Sequence, residues 1–144
     1  MYDLPVFISH SWSYSDHYDT LASGILGDSW NYGGTPINFR DVSVPKNNPI
    51  HFAPSDAALK AAIFARIKMA SVVVIPTGMY ASYSKWIGKE IEGSTAYGKP
   101  ILAVNPWAQE KKSSVVVDAS HDHVGWNKQS VINAIWRLSP YGKG

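Results

Sequence analysis

The segment Ser71-Val-Val-Val-Ile-Pro76 restricts the possible folds of this chain more than any other. Its run of consecutive β-branched apolar residues, stopped by a proline, predicts a short strand. No polar residue alternates with the apolar ones, so both faces of this strand must be covered. Strands of this kind lie inside parallel sheets that carry helices on both sides.

Helix-like and strand-like segments alternate along the rest of the chain. Short apolar runs predict further strands at residues 4–9, 37–41, 100–105 and 114–118. Apolar residues at helical spacing predict helices within residues 16–26, 55–70, 84–97 and 127–138. Gly98 followed by Pro100 marks the end of the third helix, and Asn127 is a suitable N-cap for the last one. The apolar–polar alternation at residues 37–41 indicates an edge strand.

Strands separated by helices predict βαβ units with right-handed crossovers. We therefore expect a single domain, residues 1–144, with an α/β, flavodoxin-like fold. It is a three-layer sandwich around a five-stranded parallel sheet of order 2-1-3-4-5. Ligands of such sheets bind beyond the carboxyl ends of the strands, near the switch point between strands one and three. Those ends lead into residues 9–12, 41–44 and 76–83.

Composition narrows the classes of partner. The formal net charge of +2 is too small to indicate a nucleic-acid partner. The absence of cysteine excludes disulfides and a thiol nucleophile. No run approaches the ~20 apolar residues that cross a bilayer, and the N-terminus lacks the features of a signal peptide. We expect a cytoplasmic protein with neither a membrane nor a nucleic-acid partner.

Several phosphate and nucleotide motifs are missing from the loops where this fold would need them. Ser9-His-Ser-Trp12 and Pro76-Thr-Gly78 hold no carboxylate, which argues against a phosphoacceptor receiver domain. The first of these loops also lacks a glycine that would let the phosphate of a flavin approach the backbone. Neither a G-x-G-x-x-G nor a G-x-x-x-x-G-K-[ST] sequence is present.

Trp86 and Glu90 are the residues that most suggest chemistry. They are four residues apart, so they lie on one face of a helix, beside the apolar stripe of Ile87 and Ile91. An indole above a half-buried carboxylate would partly desolvate it and raise its pKa. The alternative is a surface glutamate beside a tryptophan that only packs, and spacing alone favours this alternative.

Three motifs together resemble a known family. Val6-Phe-Ile-Ser-His10 with Asp16 resembles the F-[IV]-S-[YH] strand and following loop of TIR domains. Phe39-Arg-Asp41 resembles the F-x-D that opens their BB loop, and Trp86-Ile-Gly-Lys-Glu90 resembles their W-x-x-[KR]-E stretch. The chain is most similar to the TIR-like group that includes the NAD-processing subunit of bacterial Thoeris anti-phage systems. One departure is the segment 42–50, which would form the BB loop: its composition differs from that of the BB loop in animal receptor TIR domains.

The resemblance implies an enzyme that cleaves the nicotinamide–ribose bond of NAD⁺, its substrate, and makes an ADP-ribose-derived, cyclic signal. Glu90 would be catalytic. The residues placed near NAD⁺ would be Ser9, His10, Ser11, Trp12, Asp41 and Trp86. The resemblance also implies self-association through TIR–TIR contacts, with the proline-rich loop 45–54 as the contact. A separate effector would read the product.

Alternatives stay open at this point. A TIR domain can also be a non-catalytic interaction module, and a nucleotide-binding sensor would bind ligand without releasing nicotinamide. Asp118, His121, Asp122 and His123 could suggest a metal site, since acids and histidines at close spacing bind zinc. They fall in a predicted loop with no further ligand nearby, so we expect no metal.

Overall fold

The computed structural model describes residues 2–9, 30–32, 35–42, 56–76, 80–105, 114–125 and 127–140. Its strands are β1 Tyr2–Ile8, β2 Trp30–Tyr32, β3 Thr35–Asp41, β4 Val72–Pro76, β5 Ile101–Asn105 and β6 Asp122–Gly125. Its helices are α1 Asp56–Met69, α2 Tyr80–Ala96, α3 Ser114–Ala119 and α4 Lys128–Leu138. The helix predicted within residues 16–26 lies outside the described residues.

The strands form one sheet of order β2-β3-β1-β4-β5-β6. Five of them, β3-β1-β4-β5-β6, are parallel, which confirms the predicted order 2-1-3-4-5. The sixth, β2, pairs antiparallel with β3 and brings Trp30 opposite Ile37. Residues 37–41 therefore do not form the edge of the sheet, although the predicted alternation is there: Ile37 and Phe39 are buried, while Asn38 and Arg40 are exposed.

The core has two halves, one on each face of the sheet. One face is covered by α4, whose residues Val131, Ile132 and Ile135 pack with Leu4, Val6 and Ile8 of β1. The other face is covered by α1, α2 and α3, through Ile63, Ile67, Ile87 and Val116. Strand residues alternate between the halves, as in Val72 and Val74 against Val73 and Ile75. Helices on both faces make the expected three layers.

The prediction of a strand at residues 114–118 is wrong. The segment is the helix α3, and the fifth parallel strand is β6, where a loop was expected. Chain topology explains the difference. A parallel neighbour of β5 requires a crossover of a dozen or more residues, usually through a helix. Residues 106–113 are too few for that crossover, and β-propensity yields to the tertiary arrangement.

The predicted helix ends are confirmed at α2 and α4. Gly98, with φ of 64°, follows the last turn of α2. The N–H of Gly98 donates to Thr95 O, and that of Lys99 donates to Ser94 O, which together form a Schellman motif. At the start of α4, the Asn127 side chain accepts a hydrogen bond from Ser130 N. Helix α2 begins one turn earlier than the predicted Ser84.

Candidate functional site

Glu90 lies on the buried side of α2. Ile87, one turn earlier, is fully buried in the core half beneath α2, and residues three apart share a helical face. Glu90 follows on that face and has an exposed fraction of 0%. The sequence predicted a half-buried carboxyl group, and the structure shows a fully enclosed one. A surface position for Glu90 is excluded.

Ser9 follows β1 at the switch point of the sheet. Its N–H donates to Val74 O at 3.0 Å, which fixes it between β1 and β4, where the chain order reverses. Side chains alternate between the faces along a strand, and Phe7 packs in the half covered by α2. Ser9, two residues later, points to that same half and is itself fully buried.

These two placements bring Ser9 and Glu90 into contact across 81 positions of sequence. The Ser9 hydroxyl donates to Glu90 Oε1 at 2.7 Å. The second oxygen, Oε2, is buried and has no hydrogen-bond partner among the described residues. Leaving a buried acceptor unsatisfied costs about 1–3 kcal/mol. An orphaned polar atom that is kept despite this cost is a common mark of a functional site.

Burial dominates the ionisation of this carboxyl group. Desolvation raises the pKa of Glu90 from 4.5 to about 8, and the hydrogen bond from Ser9 opposes that rise. A pKa near 8 leaves most molecules with a neutral Glu90 at neutral pH. Strongly shifted acids at the ligand-binding edge of a sheet are candidates for catalysis.

The other predicted site residues are placed only in part. Trp86 is on α2, one turn before Glu90, and its side chain lies outside the described part of the chain. Asp41 ends β3 and is in register with Val6 of β1, at the same edge of the sheet as Ser9. His10, Ser11 and Trp12 lie outside the described residues, as does the loop 45–54. Their roles stay predictions.

The contact between Ser9 and Glu90 was missed by the sequence reasoning, although both residues were chosen. Two sequence periodicities indicate that the two side chains face the same half of the core. The period of two in β1 places Ser9 on the face of Phe7, and the helical period in α2 places Glu90 near Ile87. The register between strands was needed to join them, and no short-range pattern encodes it.

A groove at the opposite edge of the sheet carries none of the candidate residues. It has a volume of about 170 Å³ and is lined by residues that follow α1, α2 and α4, among them Ser71, Lys99 and Pro140. This edge holds the amino ends of β4 and β5. Ligand sites of doubly wound sheets lie at the other edge, where Ser9 and Glu90 meet.

Two of the acids and histidines around β6, Asp122 and His121, bond to groups of the protein. Asp122 pairs with Arg137 at 2.7 Å and accepts a hydrogen bond from His123 N. His121 Nδ1 accepts a hydrogen bond from Ile101 N at 3.0 Å. Within the described residues, no three or more His, Asp or Glu side chains are grouped to hold a metal ion. None of the helices in the described ranges is long and apolar enough to cross a membrane.

Comparison with known proteins agrees with the motifs. The sequence profile of a family described as Thoeris protein ThsB, TIR-like domain, matches residues 7–111. The matched span contains Ser9, Asp41 and Glu90, and it ends before α3. No curated protein matches the chain. Because the profile covers more than half of the chain and the sheet has the predicted order, the chain belongs to the family of Thoeris ThsB TIR-like domains.

Proposed function

We propose that this TIR-like domain cleaves the nicotinamide–ribose bond of NAD⁺, with Glu90 as the catalytic residue. The observation that supports the proposal most is a fully buried carboxyl group with one unsatisfied oxygen, located at the switch point of the sheet. Family membership adds the expectation that the glutamate of a W-x-x-[KR]-E stretch acts in this reaction, and Glu90 is that glutamate.

The chemistry needs a negative charge more than it needs an acid. When the bond between ribose C1′ and the pyridinium nitrogen breaks, the electron pair goes to the nitrogen and nicotinamide leaves as a neutral molecule. Positive charge develops on C1′ and the ring oxygen, as in other glycosyl transfers. A carboxylate preorganised in a site without water stabilises that charge far better than one in solution.

Glu90 must lose its proton to act in this way. The pKa of Glu90 is raised to about 8 by burial, so the resting group is largely neutral. A bound pyridinium carries a positive charge, and an opposite charge nearby favours the ionised form of a carboxyl group. Binding of NAD⁺ would therefore ionise the residue that its cleavage requires.

Access to Glu90 requires movement, because a group with an exposed fraction of 0% touches no ligand. We propose that the structure corresponds to a resting form and that self-association through TIR–TIR contacts opens and completes the site. The loop 45–54 is the proposed contact. A closed resting form would keep an NAD⁺-consuming enzyme inactive until it assembles.

The fate of the C1′ cation decides the product. Attack by water, which then loses a proton, gives ADP-ribose. Attack by an adenine nitrogen or a ribose hydroxyl of the same molecule gives a cyclic isomer. We propose a cyclic product that serves as a signal in anti-phage defence and is read by a separate effector.

The test is an incubation of the purified chain with NAD⁺ over a series of protein concentrations. Nicotinamide release is followed by chromatography, and the products are identified by mass spectrometry. We expect release whose rate per molecule rises with concentration, together with a product lighter than ADP-ribose by one water. If no nicotinamide is released at any concentration although the protein self-associates, the alternative of a non-catalytic interaction module is favoured. An enclosed Glu90 is compatible with that alternative as well.

A further inference from the structure

Ser9 differs from the other buried serines of the described chain in what its hydroxyl group contacts. Ser94 donates to Glu90 O within α2, and Ser139 donates to Trp136 O at the end of α4. Both are local bonds to main-chain carbonyls, the ordinary way in which a buried serine is satisfied. Ser9 instead reaches from β1 to a side chain on α2.

The position of Ser9 is fixed by the sheet and not by Glu90. Its N–H is held by Val74 O, and the two preceding residues are in register with Val73 and Val74 of β4. The main chain thus sets where the Ser9 hydroxyl group can reach, and a hydroxyl has one proton to donate. In this arrangement that proton goes to Glu90 Oε1.

A fixed donor on one carboxyl oxygen orients the whole planar group. With Oε1 held by Ser9, rotation of the carboxyl group is restricted and Oε2 stays in one direction. Oε2 is buried and has no partner among the residues of the described ranges. Once Glu90 is ionised, Oε2 is the oxygen that can accept a hydrogen bond from a bound molecule or face its positive charge.

We propose that Ser9 is a positioning residue for Glu90: its hydroxyl group holds Oε1, so that Oε2 alone faces the ribose of the substrate. This inference rests on the proposed function, since it specifies how the same carboxyl group works. It assigns Ser9 to the carboxyl group, whereas the family resemblance implied a position near NAD⁺ itself.

The test compares Ser9→Ala with wild type in steady-state release of nicotinamide from NAD⁺. Without the Ser9 donor, the carboxyl group is less well oriented in the transition state. The free energy of one hydrogen bond to a charged group corresponds to a roughly tenfold to hundredfold change in rate. We expect kcat to fall by that factor while KM changes little. Ser9→Thr keeps a hydroxyl group at the same place, and it should recover most of the lost kcat.

Ser94→Ala is the matched control. It removes a buried serine hydrogen bond of the same 2.7 Å length on the same helix, but that bond ends on the main chain of Glu90 and not on its carboxyl group. We expect wild-type kcat for Ser94→Ala. Equal losses of kcat in Ser9→Ala and Ser94→Ala would mean that burial alone matters, and would overturn the proposal.

A second measurement does not depend on turnover. The NMR chemical shift of the Glu90 carboxyl carbon, followed over a pH series, reports the ionisation of the group directly. The signal is identified by its absence in Glu90→Gln. The bond from Ser9 lowers the pKa of Glu90, whereas Ser94 bonds only the main-chain oxygen of that residue. The midpoint should therefore rise in Ser9→Ala and stay unchanged in Ser94→Ala.

The two measurements separate the possible failures. If Ser9→Ala leaves both kcat and the midpoint unchanged in an active protein, the positioning role is wrong and the proposed function stands. If wild type releases no nicotinamide under any condition, the proposed function fails and the positioning role fails with it. The titration would then report only whether the contact exists.

Discussion

Glu90 combines two properties that rarely occur together in a helix residue. Its carboxyl group is fully enclosed, and although the Ser9 hydroxyl group donates to Oε1, Oε2 has no hydrogen-bond partner among the described residues. A purely structural acid in a core would be expected to use both oxygens, since half-satisfied buried groups are costly. Under the proposed function, this carboxyl group is neutral at rest and becomes charged when the NAD⁺ cation binds.

The pH dependence of activity follows from this state. The ionised carboxylate is the form that stabilises positive charge, and it is present above the pKa of Glu90, which burial raises to about 8. We expect kcat/KM for nicotinamide release to increase with pH from about pH 6 and to level off above about pH 8, because kcat/KM reports the free enzyme. A rate that is flat, or falls with pH, would contradict the assignment.

Sequence reasoning selected both residues of the Ser9–Glu90 contact, but for different reasons. Glu90 was found from its spacing to Trp86 and its resemblance to a motif, and Ser9 from its place after β1. The enclosure of Glu90 was underestimated because burial depends on how α2 sits on the sheet, which helical periodicity does not specify. The bond between the two residues depends on tertiary register alone.

At the scale of an element, α2 carries two glycines in very different surroundings. A Cβ at Gly88 would meet no atom within 4 Å. A Cβ at Gly93 would lie 2.8 Å from Phe64 Cδ1 and 3.1 Å from Ile67 Cδ1, where α1 and α2 are in contact. The Phe64 ring also makes an edge contact with the Tyr97 ring, at 5.9 Å between centroids, so moving Phe64 aside would weaken that contact.

Substitution of each glycine by alanine should therefore change stability in opposite directions. Gly88→Ala should raise the free energy of unfolding by about 0.5–1 kcal/mol, because alanine restricts the unfolded chain and favours helix. Gly93→Ala gains the same helix propensity and loses about 1–3 kcal/mol to overpacking, so it should be destabilising overall. Urea denaturation of the two variants measures both. Equal stability would show that α1 and α2 separate without cost.

The elements differ in how far the sequence determined them. Strand β4 and the C-terminal end of α2 were predicted because their signals are local: a β-branched run, and Gly98 before Pro100. Helix α3 was mistaken for a strand because its valines favour strands, and the crossover to β6 overrode them. Strand β2 was missed, although Gly33-Gly34 between two apolar segments is a recognised hairpin signal.

At the scale of the whole molecule, the buried acid makes stability depend on pH. The pKa of Glu90 is about 8 in the folded chain against 4.5 for an ordinary glutamate, so the folded state binds the proton more tightly. This contribution to stability is fully present below pH 4.5 and is lost as the pH rises to about 8. The slope in between is roughly 1 kcal/mol per pH unit for one proton.

Glu90→Gln isolates that contribution, because glutamine resembles the protonated acid and does not titrate. We expect the variant to gain stability relative to wild type as the pH is raised, with the gain ending near pH 8. Urea denaturation of both proteins at a series of pH values gives the difference, in which all other titrating groups cancel. A difference that does not vary with pH would show that Glu90 is not a buried acid with a raised pKa.

The burial that keeps Glu90 neutral would also keep a substrate away, so the proposed function requires an active form that differs in structure from the one described. Self-association is the event that the family resemblance implies. If it opens the site, activity per molecule should follow the fraction of associated protein in analytical ultracentrifugation. Full activity in the monomer would show that self-association is not needed to open the site.

The most direct test of the whole account compares nicotinamide release from NAD⁺ by wild type, Glu90→Gln and Glu92→Gln under associating conditions. Glu92 is on the same helix, but it is exposed and pairs with Lys60 at 2.8 Å, so Glu92→Gln makes the same chemical substitution without touching the site. The account predicts no release above background for Glu90→Gln, which folds normally, and wild-type release for Glu92→Gln. Wild-type turnover by Glu90→Gln would contradict it.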